Sequence, residues 1–545
     1  MADITISQEA NHDCRSQRRL PFRVEKFSET VLTRKAWLVV GCLALVGYAF
    51  ISGAYRRPLT YVAGVYTGPR SHESEDGLAD ETFRGRLPKV PRDDYLGGLL
   101  AAGFDRSSCL SRYDSAIYHK PSSYEPSGYL VRKLRQYEVR HRRCGPHTES
   151  YNRTVLLLKA GGAAREATET GCRYVVWTPY LGLGNRILSL ASTFLYALLS
   201  DRVVLIDQVE DFATLMCEPF PDTTWTLPRE FPIANIGSFN GKHPYSYGNL
   251  VKSKKIRNDG VDDPFSGQPS PSFVYLHLIG GYNSEDTNFF CEPDQLVLRE
   301  VPWLLVRSDE YFVPGLFLNP IFMPELTLMF PQKEAVFRHL CLPLSPLQRS
   351  LGDDHQASFD VVLRQVIDCT LTQKLLPGID LSHPAAVADR RKTKAVLITS
   401  LYSGYLEHIR SMYWEHPAAG GVLVSVHQPS HEGWQNTGNK THDMKAWAEM
   451  NLLGFADVLV TSAQSTFGYV GQALGGVKPW ILLKPEKGAV PEPACVRDIS
   501  MEPCFHSVPP YVCKEKKNGD NSRVVPYVVH CIDAPWGIKL VNQTV

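Results

Sequence analysis

Between Tyr174 and Asp207 the chain reads strand, glycine turn, helix, strand, the order of a parallel α/β unit. Tyr174-Val175-Val176-Trp177 is an apolar run suited to a buried strand. Gly182-Leu183-Gly184-Asn185-Arg186 is a tight turn, and Ile187 to Leu199 is apolar on nearly every face, as a buried helix is. Val203-Val204-Leu205-Ile206 is the second strand. Such a unit can hold phosphate: glycines let the backbone approach, the helix N-terminus offers unpaired N–H groups, and Arg186 adds a fixed charge. The same letters also fit an ordinary β–α turn in a core, because a lone glycine turn is a weak signal.

The ends of the chain carry a second constraint. Ala36 to Tyr55 contains no charged residue. Twenty helical residues span about 30 Å, the hydrocarbon thickness of a bilayer. Arginine and lysine are denser before this span than after it, which predicts a cytosolic N-terminus and a lumenal remainder. The run is long, starts late and lacks a small-x-small site, unlike a cleaved signal peptide. Asn152, Asn439 and Asn542 head N-glycosylation triplets. Eleven cysteines follow the span, so disulfides are expected there, although an odd number cannot all pair with one another. The absence of any C-x-x-C argues against a zinc ribbon or redox dithiol. A formal net charge of +1 without a long basic run argues against nucleic acid as a partner.

In the second half, strands and helices alternate. Strands are predicted at 395–399, 422–426, 458–461 and 480–483, and helices at 405–414, 441–453 and 465–474. That pattern predicts a parallel sheet covered on both faces, with ligands at the C-terminal strand ends. Gly182–Arg186, His427–Gly433 and Ser465–Gly468 all fall at such ends.

Glycine, Asn, Arg, His and paired hydroxyls suit a sugar nucleotide. Ser465 and Thr466 at a helix start can donate to phosphate, and Phe467 follows them; an N-cap needs no ligand and explains the same pair. His427 and Gln428 can bond a base or ribose, and Trp434, Tyr402 and Tyr405 can stack on rings, though aromatic residues are usually core. No Asp-x-Asp occurs, so no metal is expected at the diphosphate, and arginine and helix ends are expected to neutralise the leaving group.

From about Tyr95 onward the chain resembles the plant galactoside 2-alpha-L-fucosyltransferases, the group acting on xyloglucan and arabinogalactan proteins. The blocks that carry the resemblance include Leu96–Leu100, Gly182–Arg186, Cys217–Asp222, Phe289–Glu292, Val301–Leu304, Met412–Glu415, His427–Gly433, Lys445–Met450, Ser465–Val470 and Ser500–His506. The resemblance implies a two-lobed, metal-independent α/β glycosyltransferase (GT-B-like) with Rossmann-like parallel sheets. It implies no cofactor, GDP-fucose as donor, and O2 of a terminal galactose on a wall polysaccharide or glycoprotein as acceptor, with inversion. It also implies a single-pass type II Golgi membrane protein among other Golgi glycosyltransferases. The plan is then a cytosolic tail (1–35), a signal-anchor helix (36–55), a lumenal stem (56–95), an N-terminal lobe (96–390) and a C-terminal donor-binding lobe with a Cys-rich tail (391–545). Gly182, Gly184, Asn185, Arg186, His427, Gln428, Ser465, Thr466 and Phe467 are the expected donor-binding residues; no catalytic base is identified.

The chain departs from this family twice. Relatives carry a strand reading roughly Gly-Ile-Gln-Val-Arg, whose arginine grips the donor diphosphate; here the interval from Cys341 to Gln356 contains no such strand. Gly280-Gly281-Tyr282 stands where relatives place His-Asp before the tyrosine. The alternative to an active enzyme is therefore a catalytically impaired relative, or a truncated gene model, acting as a non-catalytic Golgi partner.

Overall fold

The computed structural model of the protein describes residues 2–7, 95–103, 119–161, 170–207, 215–258, 270–280, 285–342, 359–380, 389–436, 439–485, 489–513 and 517–542, with Cys109, Arg112, Pro264 and Phe265. The first strand, β1 (Ala2–Ser7), pairs far from its neighbours in sequence, inside the second of two sheets.

Helices α1 (Gly128–Cys144) and α2 (Glu149–Lys159) open the first lobe. Each starts on a hydroxyl cap: Ser127 accepts from the Leu130 N–H and Thr148 from that of Tyr151. The predicted unit follows as β2 (Tyr174–Thr178), α3 (Leu183–Leu199) and β3 (Val203–Ile206). Then come β4 (Phe273–Leu278), α4 (Glu292–Arg299) and β5 (Trp303–Ser308). The strands pair in the order β3-β2-β5-β4, all parallel. β2 is buried at every position because both faces of the sheet are covered, which is why it reads as continuous apolar sequence. α5 (Val336–Cys341) closes this lobe's core, where Phe337 and Leu340 are fully buried.

The second lobe begins with α6 (Phe359–Thr372). It continues through β6 (Asp389–Thr399), α7 (Gly404–Glu415), β7 (Val422–His427), α8 (Lys440–Gly454), β8 (Val458–Ser462), α9 (Thr466–Gly475), β9 (Trp480–Leu482) and β10 (Cys495–Arg497). From β6 to β9 these match the predicted elements to within a residue or two, except for the early start of β6; α6 and β10 had no predicted counterpart. The sheet order is β10-β9-β8-β1-β6-β7, and only β10 runs antiparallel. Two short hairpins end the chain, β11–β12 (Tyr511–Val512 with Lys517–Asn518) and β13–β14 (Val528–His530 with Ile538–Leu540). The second returns to the first lobe, where Tyr527, Val528 and Ile538 join its core.

Among the described residues five disulfides form: Cys109–Cys217, Cys144–Cys172, Cys291–Cys513, Cys369–Cys495 and Cys504–Cys531. Cys341 is buried outside any disulfide. The odd cysteine of the sequence is thereby accounted for, and such bonds persist in an oxidising compartment.

The membrane topology is corrected. Residues 2–7, assigned to a cytosolic tail, lie between β6 and β8: Ala2–Ser7 align with Lys394–Thr399 and Ile4–Ser7 with Val458–Thr461. A segment hydrogen-bonded on both sides within the head lies on the head's side of any bilayer. The tail and head therefore do not occupy opposite sides, as a type II Golgi membrane protein requires. The signal-anchor helix at 36–55 and nearly all of the stem at 56–95 lie outside the described residues. Among the described residues no helix is long and apolar enough to cross a membrane.

Candidate functional site at the seam between the lobes

The glycine turn after β2 meets the start of α9 directly. A Cβ on Gly184 would lie 2.5 Å from Thr466 Oγ1 and 2.9 Å from the Thr466 carbonyl carbon. One on Gly182 would meet only the amide end of the exposed Gln435 side chain, which can swing aside. At Gly184, where the neighbour is backbone, only glycine allows the first lobe this close to the second. Leu181, just before, adopts a left-handed φ of 61°. Its carbonyl accepts from Arg186 Nε at 2.8 Å.

Arg186 is buried. Its Nη1 donates to Asp443 Oδ2 on α8 at 2.8 Å, an ion pair with both side chains under 5 % exposed. The arginine is thus committed to an inter-lobe tie. Asn185 is a second tie: its Nδ2 donates to the Asp309 carbonyl at 3.0 Å, and its Oδ1 accepts from Thr466 Oγ1 at 3.3 Å. Ser465 accepts from the Gly468 N–H at 3.1 Å, so its hydroxyl serves as the helix cap. The first amides of α9, those of Thr466 and Phe467, have no intrahelical acceptor. Phe467 packs half-buried against the first core.

The loop after β7 rests on buried polar groups from α8. Ser430 Oγ donates to Glu449 at 2.6 Å, and Glu432 joins His442 at 3.0 Å and Lys445. Burial lifts Glu449 to about 7. Gln428 turns inward, donating from Nε2 to the carbonyls of Ser400 (2.8 Å) and Tyr402 (3.0 Å), while its buried Oε1 accepts no protein hydrogen bond. His427 is exposed and lines a separate groove of about 240 Å³ with Leu397, Leu452 and Phe455. Tyr405 is core, as the bland reading of aromatics holds, whereas Trp434 is exposed. Asn152 is exposed on α2, Asn439 caps α8, and Asn542 Oδ1 accepts the Glu334 N–H at 3.3 Å.

Several groups at this seam escaped the sequence reading. Asp309 follows β5. Burial, reinforced by the neighbouring Glu310 charge, raises its carboxyl to about 6, although the Gly280 N–H donates to it at 3.1 Å. Asp533, in the β13–β14 loop, accepts the Gln464 N–H at 2.8 Å and the Tyr469 hydroxyl. Tyr469 also bonds His506 at 2.9 Å. Burial pushes the tyrosine well above its ordinary range and the histidine below its own. One signal for α8 was available: His442, Lys445 and Glu449 fall at helical spacing, a polar stripe on a helix between two sheets. Nothing local announces Asp533. Among the described residues one group of metal-ligand type assembles, Cys504, Cys531 and Asp533, and its two sulfurs are already joined to each other.

Two α/β lobes with parallel sheets meet where a glycine turn of one abuts a helix N-terminus of the other, the two-lobed architecture that the family resemblance implies. The sequence profile of the xyloglucan fucosyltransferases matches residues 77–346 and 346–514. A galactoside 2-alpha-L-fucosyltransferase of Pisum sativum is 48% identical over 494 residues, 86% of this chain and 85% of that one. The enzyme of that name from Arabidopsis thaliana is 48% identical over 482 residues, 84% of each chain. A solved structure of an arginine-to-lysine mutant of Arabidopsis thaliana FUT1 in complex with GDP superposes with a TM-score of 0.72. It is 46% identical, covering 82% of this chain and 99% of that one. The protein belongs to the xyloglucan fucosyltransferase family. The profile match breaks at residue 346, inside the interval 343–358 that lies outside the described residues.

Proposed function

We propose that this chain transfers L-fucose from GDP-fucose to O2 of a terminal galactose on xyloglucan or a related galactosylated glycan, with inversion. The observation that carries the reading is the Gly184–Thr466 contact, which sets the turn of the first lobe against the N-terminus of α9. Amides of Thr466 and Phe467 at a helix start suit the leaving diphosphate. The unpartnered Gln428 Oε1 suits a donor N–H such as guanine presents. Arg186 acts by holding Leu181 and Asp443, and thereby the shape of the seam. Asp309, raised to about 6, is the group proposed to accept the proton of the attacking galactose hydroxyl. Inversion follows if that hydroxyl attacks from the face opposite the diphosphate.

The break in the family match favours a second reading, a weak or non-catalytic relative that associates with other glycosyltransferases. A buried diphosphate without its bidentate arginine loses several kcal/mol of charge-assisted contact, on the order of 3. Transfer from GDP-fucose to a galactose-terminated acceptor by the purified chain decides between them. Turnover rejects the second reading; calorimetric GDP binding without turnover supports it.

A further inference from the structure

We infer that Ser7, at the C-terminal end of β1, is a donor-binding position that flanks the diphosphate of the sugar nucleotide. The inference rests on the transferase reading and deepens it: the donor site draws on the first residues of the chain as well as on the loops of the second lobe.

The order of the second sheet carries it. From β6 the chain steps outward to β7, and from β8 it steps outward the other way to β9. The helices of these two steps cover opposite faces. α7 buries Tyr405 and Ile409 in one core, whereas α9 buries Tyr469 and Val470 in another. Where connections diverge in this way, a crevice opens beyond the carboxyl ends of the strands, and ligands of open α/β sheets bind there. β1 occupies that point, parallel to β6 on one side and to β8 on the other.

Register fixes which residue reaches the crevice. Ser7 aligns with Thr399 and with Thr461. Neighbouring strands lie about 4.8 Å apart, so Ser7 stands one strand spacing from each. Thr399 leads into Ser400, whose carbonyl accepts from Gln428 Nε2 at 2.8 Å. Thr461 leads into Ser462, whose carbonyl accepts from the Ser465 N–H at 3.3 Å, and so to the start of α9 at Thr466. Both loops belong to the proposed donor site, and Ser7 lies between their roots. The N-terminus of α9 draws a diphosphate to this side of the crevice. Ala2, at the other end of the six-residue strand, is roughly 16 Å away.

Calorimetry on the full chain tests this with two ligands, GDP and guanosine, which differ by the diphosphate. A charge placed at Ser7 should act on the first and not on the second. Ser7→Asp is expected to raise the GDP dissociation constant about tenfold, and Ser7→Lys to lower it severalfold. Guanosine affinity should stay within about twofold of wild type in both, which also shows that the variants fold. Ala2→Asp puts the same charge beyond a Debye length and should leave GDP affinity within about twofold. Equal changes for GDP and guanosine, changes of the same sign in the Asp and Lys variants, or an equal loss in Ala2→Asp overturn the assignment. Opposite shifts confined to GDP, in a chain that transfers no fucose, keep the assignment and remove the transferase. Turnover with GDP affinity indifferent to charge at Ser7 does the reverse, and a wild-type chain that binds no GDP removes both.

Discussion

The two sheets of this protein are assembled differently. The four strands of the first lobe come from one stretch between Tyr174 and Ser308, and each pairs parallel to its neighbours. The second lobe draws β6 to β10 from residues 389–497 but takes its interior strand β1 from residues 2–7. In the second lobe each strand from β6 to β8 is followed by a helix and then the next strand, so a strand before α6 would complete the pattern. The interval 343–358 lies outside the described residues, and its sequence has no strand pattern. A lobe built locally should be robust; one that closes over a remote segment should depend on that segment.

The largest expected effect tests this dependence. Ile4→Pro removes an amide from the ladder between β6 and β8 and should cost on the order of 3 kcal/mol, all of it in the second lobe. Hydrogen exchange on the purified chain should show β6 and β8 opening while β2 and β5 stay protected. Uniform protection in both lobes would mean that the sheets are equally self-sufficient. Next in size is Asp443→Ala, which strands Arg186 in the interior and should destabilise the protein by about 3–5 kcal/mol in thermal denaturation. Adding Arg186→Met should recover most of that loss; failure to recover would show that the pair is not the tie between the lobes. Gly184→Ala drives a methyl into Thr466 and should cost about 1–3 kcal/mol. It should also raise the GDP dissociation constant, because the two lobes must shift apart; calorimetry checks this.

The smallest effect is pH dependence. Asp309, Glu449 and Glu502 have native pKa values raised to about 6, 7 and 8. A carboxyl whose pKa is higher in the folded than in the unfolded state binds more protons when folded. Its contribution is therefore greatest below the unfolded value and declines as pH rises through the folded one. Melting temperature should fall from pH 5 to pH 8, whereas turnover through ionised Asp309 should rise across pH 6. Parallel profiles would separate Asp309 from the reaction.

Legibility in the sequence follows the same division. β2, α3 and β3 were readable because complete burial leaves unbroken apolar runs bounded by glycine. β7, α8, β8 and α9 were readable because their alternation is local. β1 was not, since Ala-Asp-Ile-Thr-Ile-Ser carries no sign of a partner at the other end of the chain, and the nearby apolar run at 36–55 pointed to a membrane. At the seam, Gly182–Arg186 and Ser465–Gly468 were each readable as loops at strand ends, but the direct approach of Gly184 to Thr466 was not. Arg186 looked like a ligand for phosphate because a sequence does not reveal Asp443 across the gap. Asp309 and Asp533 are unremarkable letters whose environment arises only from tertiary packing.

The bond between Cys291, just ahead of α4, and Cys513 has a mechanical consequence. The polypeptide leaves the first lobe after α5 and comes back after β10, where this bridge anchors it. With β1 already held in the second sheet, the backbone passes between the lobes at three places, and the bridge fixes the last of them. Breathing of the cleft should thus be slight, limited by how far the Gly184 turn can lift from Thr466.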